Sequence, residues 1–260
     1  MVVYDGSKLS TALYKPAQAD VAALVKGVTD EVNAQLSQAF AVTEVLLDGS
    51  RDPGVRTQET NLGDFAADAI LYAAQKAVGD HVVAAVTNGG GIRASIQIGD
   101  ITMNDMKTVF PFGNVVSTLT VTGAELLEAL EAGTFTTPGA IGAFPQVAGI
   151  EFTIDTAVEW VPGDAYPEST YFKPANPGSR VSIQTVGGEA FDQEALYTIA
   201  TNDFCAAGGD TYYAFKYPNS TSGINTGVAL EDALIDYVTS QLDGVVGEQY
   251  AEPAGRITIK

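Results

Sequence analysis

The sequence has very few of the residues that usually carry metal binding and nucleophilic catalysis. It contains one cysteine, Cys205, and one histidine, His81, among 260 residues. These cannot form an intramolecular disulfide, a Cys/His zinc site or a cluster of histidine ligands. A Ser-His-Asp triad would depend on His81, which precedes an apolar run and is interpreted as a structural residue. The sequence therefore predicts no catalytic residue and no metal ligands in this chain.

Positive charge is also scarce. Thirteen Lys and Arg residues face 32 Asp and Glu residues, for a net charge of -19. Such a surface repels phosphate backbones and anionic lipid headgroups, so we expect no nucleic-acid partner and no membrane-surface binding. An anionic ligand would need local positive groups, and guanidinium groups bind anions with two hydrogen bonds at once. The arginines that could do so are Arg51, Arg56, Arg93, Arg180 and Arg256.

Long hydrophobic runs are missing as well. No apolar stretch approaches the roughly 18 to 20 residues that span a bilayer, which predicts no membrane span. The first residues lack the charged and apolar regions of a secretory signal, so we expect no targeting address in the sequence as it stands. In its overall composition, 46% hydrophobic and 17% charged, the chain is typical of a globular protein with a substantial core.

Helical and strand-like patterns are mixed along the chain. Apolar residues at three- and four-residue spacing predict helices, and apolar or alternating runs predict strands. The predicted helices cover residues 19–40, a segment starting at an Asn61 N-cap, residues 104–109, a segment after Thr122, and residues 228–242. The predicted strands cover residues 41–47, 82–87, 115–122, 147–154, 181–186, 197–201 and 256–260.

This order does not follow strict β-α-β alternation, and it predicts an α+β fold of mixed β-sheets with flanking helices, in an α/β/β/α layering. Four prolines between residues 155 and 180 predict a long loop or hairpin tip within the domain.

A glycine-rich turn follows one of the predicted buried strands. It reads Asn88-Gly89-Gly90-Gly91-Ile92-Arg93. Three consecutive glycines allow positive φ and a close backbone approach to a ligand, while an amide and a guanidinium flank the turn. This chemistry suits an anion or a sugar, although a flexible hairpin would have the same composition. The Gly-Lys-Ser/Thr of a Walker motif is absent.

Two aromatic segments lie at other strand ends. Residues 201–210 read TNDFCAAGGD, which combines Phe204, a small-residue loop and Asp210. Such a loop offers a ring face to a nucleobase and an acceptor to ribose hydroxyls, unless Phe204 packs into the core. The segment Phe110-Pro111-Phe112-Gly113-Asn114 is by itself more typical of core packing.

The stretch from Asp48 to Glu59 imitates part of an EF-hand calcium loop. Pro53 stands where that loop needs a glycine for its sharp turn. We therefore do not interpret it as a calcium site.

Taken together, these segments resemble the C-terminal domain of the 5′-nucleotidase family. The resemblance rests on Arg56-x-x-Glu59-Thr60-Asn61-Leu62-Gly63, the Asn88 to Arg93 turn, Phe110 to Asn114, Gln146-Val147-Ala148-Gly149 and Asn202 to Asp210. It runs from about residue 40 to the C-terminus. The family includes ecto-5′-nucleotidase and the periplasmic UDP-sugar hydrolase, in which this domain recognises the nucleoside.

The resemblance assigns roles to individual side chains. It implies that Phe112 and Phe204 sandwich the base and that Asp210 accepts the ribose hydroxyls. Arg56, Asn88 and Arg93 resemble the groups on the ribose and phosphate side. Asn114 and, more weakly, Gly142 resemble contacts to the edge of the base.

In that family an N-terminal metallophosphoesterase domain with two divalent metal ions performs hydrolysis. This chain has neither the length nor the histidines for it, so the resemblance implies a missing upstream domain of the same polypeptide. Residues 1–40 are then predicted to be the end of that domain plus an inter-domain helix, and residues 41–260 the nucleotide-binding domain. The isolated chain is expected to be inactive, without a cofactor of its own.

Several alternatives remain open at this point. The parent protein would be an extracellular, periplasmic or cell-surface 5′-nucleotidase that binds a nucleotide or nucleoside. It would otherwise act on 2′,3′-cyclic nucleotides or on UDP-sugars, because the family uses one scaffold for several phosphoesters. A third alternative is a free-standing nucleoside-binding protein.

Overall fold

The computed structural model describes residues 19–217 and 221–260. The chain divides into two units, residues 1–38 and residues 39–260. The part of the domain prediction that concerns residues 1–18 lies outside the described residues. Within them the α-helices are α1 (Ala19–Leu36), α2 (Asn61–Val78), α3 (Met103–Val109), α4 (Gly123–Gly133), α5 (Asp203–Ala206) and α6 (Leu230–Ser240).

The first unit contributes a single described helix. α1 forms where the three- and four-residue apolar spacing predicts it, but it ends at Leu36 rather than near residue 40. No residue of α1 is buried. None of the described helices is both long and apolar enough to cross a bilayer.

The second unit contains the strands. These are β1 (Ala39–Thr43), β2 (Val82–Asn88), β3 (Gly99–Thr102), β4 (Val115–Thr122), β5 (Pro145–Ala148), β6 (Ile150–Ile154), β7 (Pro162–Ala165), β8 (Phe172–Pro174), β9 (Val181–Val186), β10 (Glu189–Ala190), β11 (Leu196–Asn202), β12 (Thr221–Ala229), β13 (Val245–Val246) and β14 (Ile257–Ile259). The described strands pair as a five-stranded sheet, β12-β4-β11-β2-β5, a four-stranded sheet, β10-β9-β6-β14, a three-stranded sheet, β13-β1-β3, and the hairpin β7-β8. Both larger sheets mix parallel and antiparallel pairs, which confirms the predicted α+β class.

Two hydrophobic cores lie on opposite faces of the five-stranded sheet. Alternate residues of a strand point to opposite faces, so Ala85 of β2 joins one core and its neighbours Ala84 and Val86 join the other. The first core packs α2, α3 and α6 against the sheet. The second core contains residues of α4 and of the four-stranded sheet, including Leu126 and Phe152. Both faces of the central sheet are therefore covered.

Several predicted elements have the expected bounds. The alternating run Val115–Thr122 is β4, and Val181–Val186 is β9. The helix that follows β4 is α4, and Thr122 is its N-cap. The Thr122 hydroxyl accepts from Glu125 N, and the Glu125 carboxylate accepts from Thr122 N. This capping box satisfies two backbone donors at the first turn.

Three further predictions of local structure are wrong. The strand predicted over 41–47 is β1, which ends at Thr43. Thr60, not Asn61, is the N-cap of α2, because its hydroxyl accepts from Gly63 N at 3.0 Å. Asn61 instead donates to Leu46 O and Tyr250 O. The single strand predicted over 147–154 is two strands in two sheets, broken at Gly149, whose φ of +67° is favourable only for glycine.

Candidate functional site

The chain order of the central sheet brings the candidate segments to one edge. β2 and β11 are parallel neighbours, so Asn88 and Asn202 both end their strands at this edge. β4 runs antiparallel to β11, and β5 runs antiparallel to β2. The residues before β4 and β5, including Asn114 and Gly142, therefore arrive at the same place. Ligands commonly bind beyond the carboxyl ends of strands.

An open cavity of about 490 Å³ lies at this edge. It is lined by Arg56, Asn88, Gly90, Gly91, Arg93, Phe112, Asn114, Gly142, Tyr171, Phe204 and Asp210. All seven residues of the predicted site are among them, together with Gly142. They lie up to 154 positions apart in the sequence, from Arg56 to Asp210, so only the fold brings them together.

The two predicted sandwich residues present their rings to solvent. Phe112 is 61% exposed and Phe204 is 43% exposed, whereas Phe110, two positions before Phe112, is only 3% exposed. Neither ring is part of the hydrophobic cores. Both line the cavity, where an exposed ring leaves a face free for stacking.

A polar network that includes buried side chains orients the carboxylate of Asp210, which lines the cavity. Asn88 donates from Nδ2 to Asp210 Oδ2 at 3.0 Å. Its Oδ1 accepts from Asn202 Nδ2 at 3.1 Å, and Asn202 in turn caps the short helix α5 by accepting from Cys205 N. Burial raises the pKa of Asp210, while the hydrogen bond from Asn88 and the charge of Arg56 lower it. The network orients Asp210 and leaves its other oxygen available as an acceptor.

Two arginines provide the positive charge of the cavity. The Arg93 Nη1 donates to Gly90 O at 3.1 Å, and its guanidinium carbon lies 5.5 Å from the centroid of the Phe112 ring. Burial and the charges of Arg51 and Arg93 lower the pKa of Arg56 below its usual value. The charge of Asp210 opposes part of this shift. Among the described residues no hydrogen bond satisfies the buried Nε of Arg56. Two guanidinium groups that line one cavity favour an anionic ligand.

The glycines of the turn serve close packing rather than positive φ. Residues 89–91 form a 3₁₀ turn, and no positive φ is found among them, which corrects the expectation from the sequence. A Cβ on Gly89 would lie 1.7 Å from Val55 O, and one on Gly90 would lie 2.8 Å from Gly142 O. The two loops that carry Arg56 and Gly142 can approach β2 only because these side chains are absent.

Gln146 fixes the loop that carries Arg56. Its buried amide donates to Val55 O and Gln58 O and accepts from Thr60 N. Gly63 leaves space for it, since a Cβ there would lie 1.8 Å from its Oε1. Gln146 and Gly63 belong to two different sequence motifs. Their positioning role depends on contacts between segments about 85 residues apart.

Sequence reasoning missed Tyr171, which also lines the cavity. It lies in the segment that was predicted as a loop or hairpin tip and that does form the β7-β8 hairpin. Its ring meets Phe135 edge-on at 6.3 Å, and Phe135 contacts Trp160 at 5.0 Å. Four aromatics in the proline-rich stretch 155–180 were the available signal. They gave no indication of which ring faces the ligand.

Residues 19–217 and 221–260 contain no group of three or more His, Cys, Asp or Glu side chains that could hold a metal ion. Glu59, the last residue of the stretch similar to an EF-hand loop, accepts from Arg256 N and Ile257 N with its two carboxylate oxygens. His81 is exposed in the turn before β2. The described residues therefore do not fit a two-metal centre.

The fold is a mixed α+β domain with an open cavity at one edge of its central sheet, and comparison with known proteins shows its family. The profile of the family described as "5'-nucleotidase, C-terminal domain" matches residues 39–217. This chain belongs to that family. The resemblance and the fold class inferred from the sequence are confirmed.

Individual relatives are similar over most of this chain. The trifunctional nucleotide phosphoesterase protein YfkN of Bacillus subtilis is 40% identical over 72% of it, and the protein UshA of Escherichia coli is 32% identical over 96%. A solved structure, the 5'-nucleotidase precursor of Thermus thermophilus, matches 92% of the chain at 30% identity with a TM-score of 0.73. The chain spans only 12% of YfkN, 41% of UshA and 43% of the Thermus chain.

Proposed function

We propose that this chain is the nucleotide-recognition domain of a 5′-nucleotidase. The base lies between Phe112 and Phe204, and Asn114 and Gly142 contact its edge. Asp210 accepts hydrogen bonds from the ribose hydroxyls. Arg56, Asn88 and Arg93 bind the ribose and phosphate side.

The observation that carries this proposal is the arrangement of aromatic, acidic and basic side chains around one cavity. Two solvent-exposed phenyl rings, an oriented carboxylate and two arginines line a single space of about 490 Å³. A nucleotide has the complementary parts: a π-face, vicinal hydroxyls and an anion. In a protein of net charge -19, a cavity with two arginines is a local exception that favours an anionic ligand.

Hydrolysis is assigned to a separate part of the parent protein. Members of the family that cover this chain are more than twice its length, and the described residues cannot hold the metal centre. We therefore place two divalent metal ions in an upstream metallophosphoesterase domain of an exported or surface protein. The name of YfkN, a trifunctional nucleotide phosphoesterase, favours a parent with activity on more than one nucleotide ester.

Calorimetric titration of this chain with adenosine and 2′,3′-dideoxyadenosine tests the binding role. A charge-assisted hydrogen bond contributes about 1.5 to 3 kcal/mol, so the dideoxy compound should bind roughly ten- to a hundred-fold more weakly. Asp210→Ala should remove this difference. Equal affinities for the two compounds in the wild-type protein would contradict the assignment of Asp210.

The division of labour is tested by phosphate release. The purified chain should release no phosphate from AMP above background, with or without added divalent cations, because nothing described here generates a metal-bound hydroxide. Turnover that persists through repeated purification would place a catalytic site in this chain.

A further inference from the structure

A second cavity of about 540 Å³ adjoins the nucleotide cavity. One side comes from the turn of the β7-β8 hairpin, residues 167–171, and the other from residues 207–216. Tyr171, Phe204 and Asp210 line both cavities. The two spaces therefore meet along these three side chains.

The shared residues show which end of a bound nucleotide faces the second cavity. Arg56, Arg93 and Phe112 line the first cavity only. On the proposed function, the phosphate lies with the arginines and the ribose hydroxyls lie at Asp210. The base side also borders the second cavity through Phe204, but a ligand that extends past Asp210 enters this cavity from its ribose hydroxyls and not from its 5′-phosphate.

The second cavity has one positive charge. Lys216 is its only basic residue among those described, the carboxylates of Glu168 and Asp210 line the same cavity, and Lys216 makes no ion pair within the described residues. The stem of Lys216 lies 3.4 Å from where a Cβ on Gly208 would be, so it packs on the loop that leads to Asp210. Its ammonium lies 5.6 Å from the centroid of the Tyr213 ring. An ammonium group with no ion pair in the described residues is available to the single charge of a phosphodiester.

The size and backbone of this cavity also indicate a built site. Its volume is close to that of the first cavity, so a phosphate group alone would leave most of it empty. In the described part of the chain, three non-glycine residues have φ between +49° and +56°, and two of them, Glu168 and Asp210, line this cavity. Strained backbone of this kind concentrates at binding sites.

We propose that the second cavity receives a second nucleotide, joined through a phosphodiester to a ribose hydroxyl oxygen of the first. The preferred ligand is then a 5′-phosphorylated dinucleotide. Lys216 pairs with the bridging phosphodiester, and the remaining ribose hydroxyl donates to Asp210. Ser169 and Thr170 line this cavity and can donate from their hydroxyls to the second nucleoside, while Ser169 Oγ accepts from Tyr171 N at 3.1 Å. This inference rests on the proposed function of the first cavity.

The test compares AMP with the linear dinucleotide pApA, each titrated calorimetrically into the full chain. The wild-type protein should bind pApA about tenfold more tightly than AMP, the gain expected for one added charge-assisted contact. Lys216→Gln should bring the ratio of the two affinities close to one, and Lys216→Arg should restore it. Lys173→Gln is the matched control, because Lys173 is on the β7-β8 hairpin that borders the cavity, pairs with Asp164 and does not line the cavity.

The outcomes separate the two proposals. Equal affinities for AMP and pApA in the wild-type protein, or a gain that survives Lys216→Gln, would overturn the second site while leaving the first intact. If AMP does not bind, or if Phe112→Ala leaves AMP affinity unchanged, the proposed function itself fails and the dinucleotide site fails with it. Thermal unfolding of each variant verifies that the exposed substitutions leave the fold unchanged.

Discussion

Phe110 and Phe112 are two residues apart and have opposite roles. Phe110 is buried in the first hydrophobic core, which contains residues of α2, and Phe112 lines the cavity. Phe112→Ala and Phe204→Ala should each lower adenosine affinity by roughly five- to two-hundred-fold, since stacking on an aromatic ring contributes about 1 to 3 kcal/mol per base. Titration calorimetry measures this.

Phe110→Ala is the control for these substitutions. Truncating a buried phenylalanine costs about 3 to 5 kcal/mol of unfolding free energy, whereas an exposed ring should cost little. Urea unfolding should therefore separate Phe110→Ala from the other two variants. A large loss of stability in Phe112→Ala with unchanged affinity would mean that its ring is structural.

Four of the five arginines also separate by role. Arg180 donates to the backbone oxygens of Thr134, Phe135 and Thr137, and Arg256 pairs with Asp68, so both are structural. Arg56→Ala and Arg93→Ala should each weaken AMP binding by roughly ten- to a hundred-fold, because each removes a charge-assisted contact of about 1.5 to 3 kcal/mol.

The same arginine substitutions should lower adenosine affinity much less, because adenosine has no phosphate. Titration with both ligands measures this difference. Lys76→Ala is a suitable control, since Lys76 lies on α2 and pairs with Asp236 on the surface. A comparable loss of AMP affinity in that variant would mean that overall charge, not the site, is responsible.

At the scale of elements, the cavity depends on how closely two loops approach the end of β2. Gly89→Ala places a methyl group against the backbone of Val55, which cannot move without displacing Arg56. We expect a loss of at least about 1 to 3 kcal/mol in unfolding free energy, the cost typical of overpacking. Urea unfolding measures it.

Gly142→Ala provides the contrast. A Cβ there makes only ordinary contacts, the nearest at 3.6 Å from Asp210 Oδ2, and it points at the cavity lining. Stability should stay close to wild type while AMP affinity falls, because the methyl group occupies ligand space. If both glycine variants lose stability equally, the cavity edge is not as open as described.

At the scale of the whole molecule, a buried charge network ties the C-terminal segment to α2. Asp64 Oδ2 accepts from Ala254 N at 2.8 Å, and Arg256 donates to Asp68 at 2.9 Å. The pKa of Asp64 is raised to about 7, chiefly by burial and also by the nearby Glu59, while the hydrogen bond from Ala254 and the charge of Arg256 oppose this shift. The folded protein therefore favours the neutral form of Asp64.

This raised pKa makes stability depend on pH. The folded state holds a proton on Asp64 that the unfolded chain releases near pH 4, so this contribution is present below about pH 4 and is lost as the pH rises to about 7. Asp64→Asn keeps the site neutral. The stability of the wild type relative to this variant should fall by up to a few kcal/mol over that interval, at about 1.4 kcal/mol per pKa unit.

Asp236→Asn is the control of opposite sign. Its hydrogen bond with Lys76 lowers the pKa of Asp236, so its contribution is lost as the pH falls below the ordinary range for a carboxylate. Chemical unfolding between pH 3 and 8 follows both variants. A difference between wild type and Asp64→Asn that stays constant with pH would show that folding does not shift the pKa of Asp64, which contradicts this prediction.

The sequence alone determined the elements whose signals are local. The apolar spacing of α2, the alternation of β4 and the Thr122 capping box depend on residues within a few positions of each other, so they could be inferred directly. Family resemblance then selected the seven site residues from motifs spread along the chain.

The tertiary structure decided everything that depends on contacts between distant segments. Alternation predicts a strand over 147–154 but does not show that Gly149 passes the chain from one sheet to another. Three glycines suggest positive φ, whereas their actual role is set by Val55 and Gly142 across the loops. Tyr171 and the second cavity arise because a hairpin meets the Asp210 loop, a packing arrangement that no local pattern specifies.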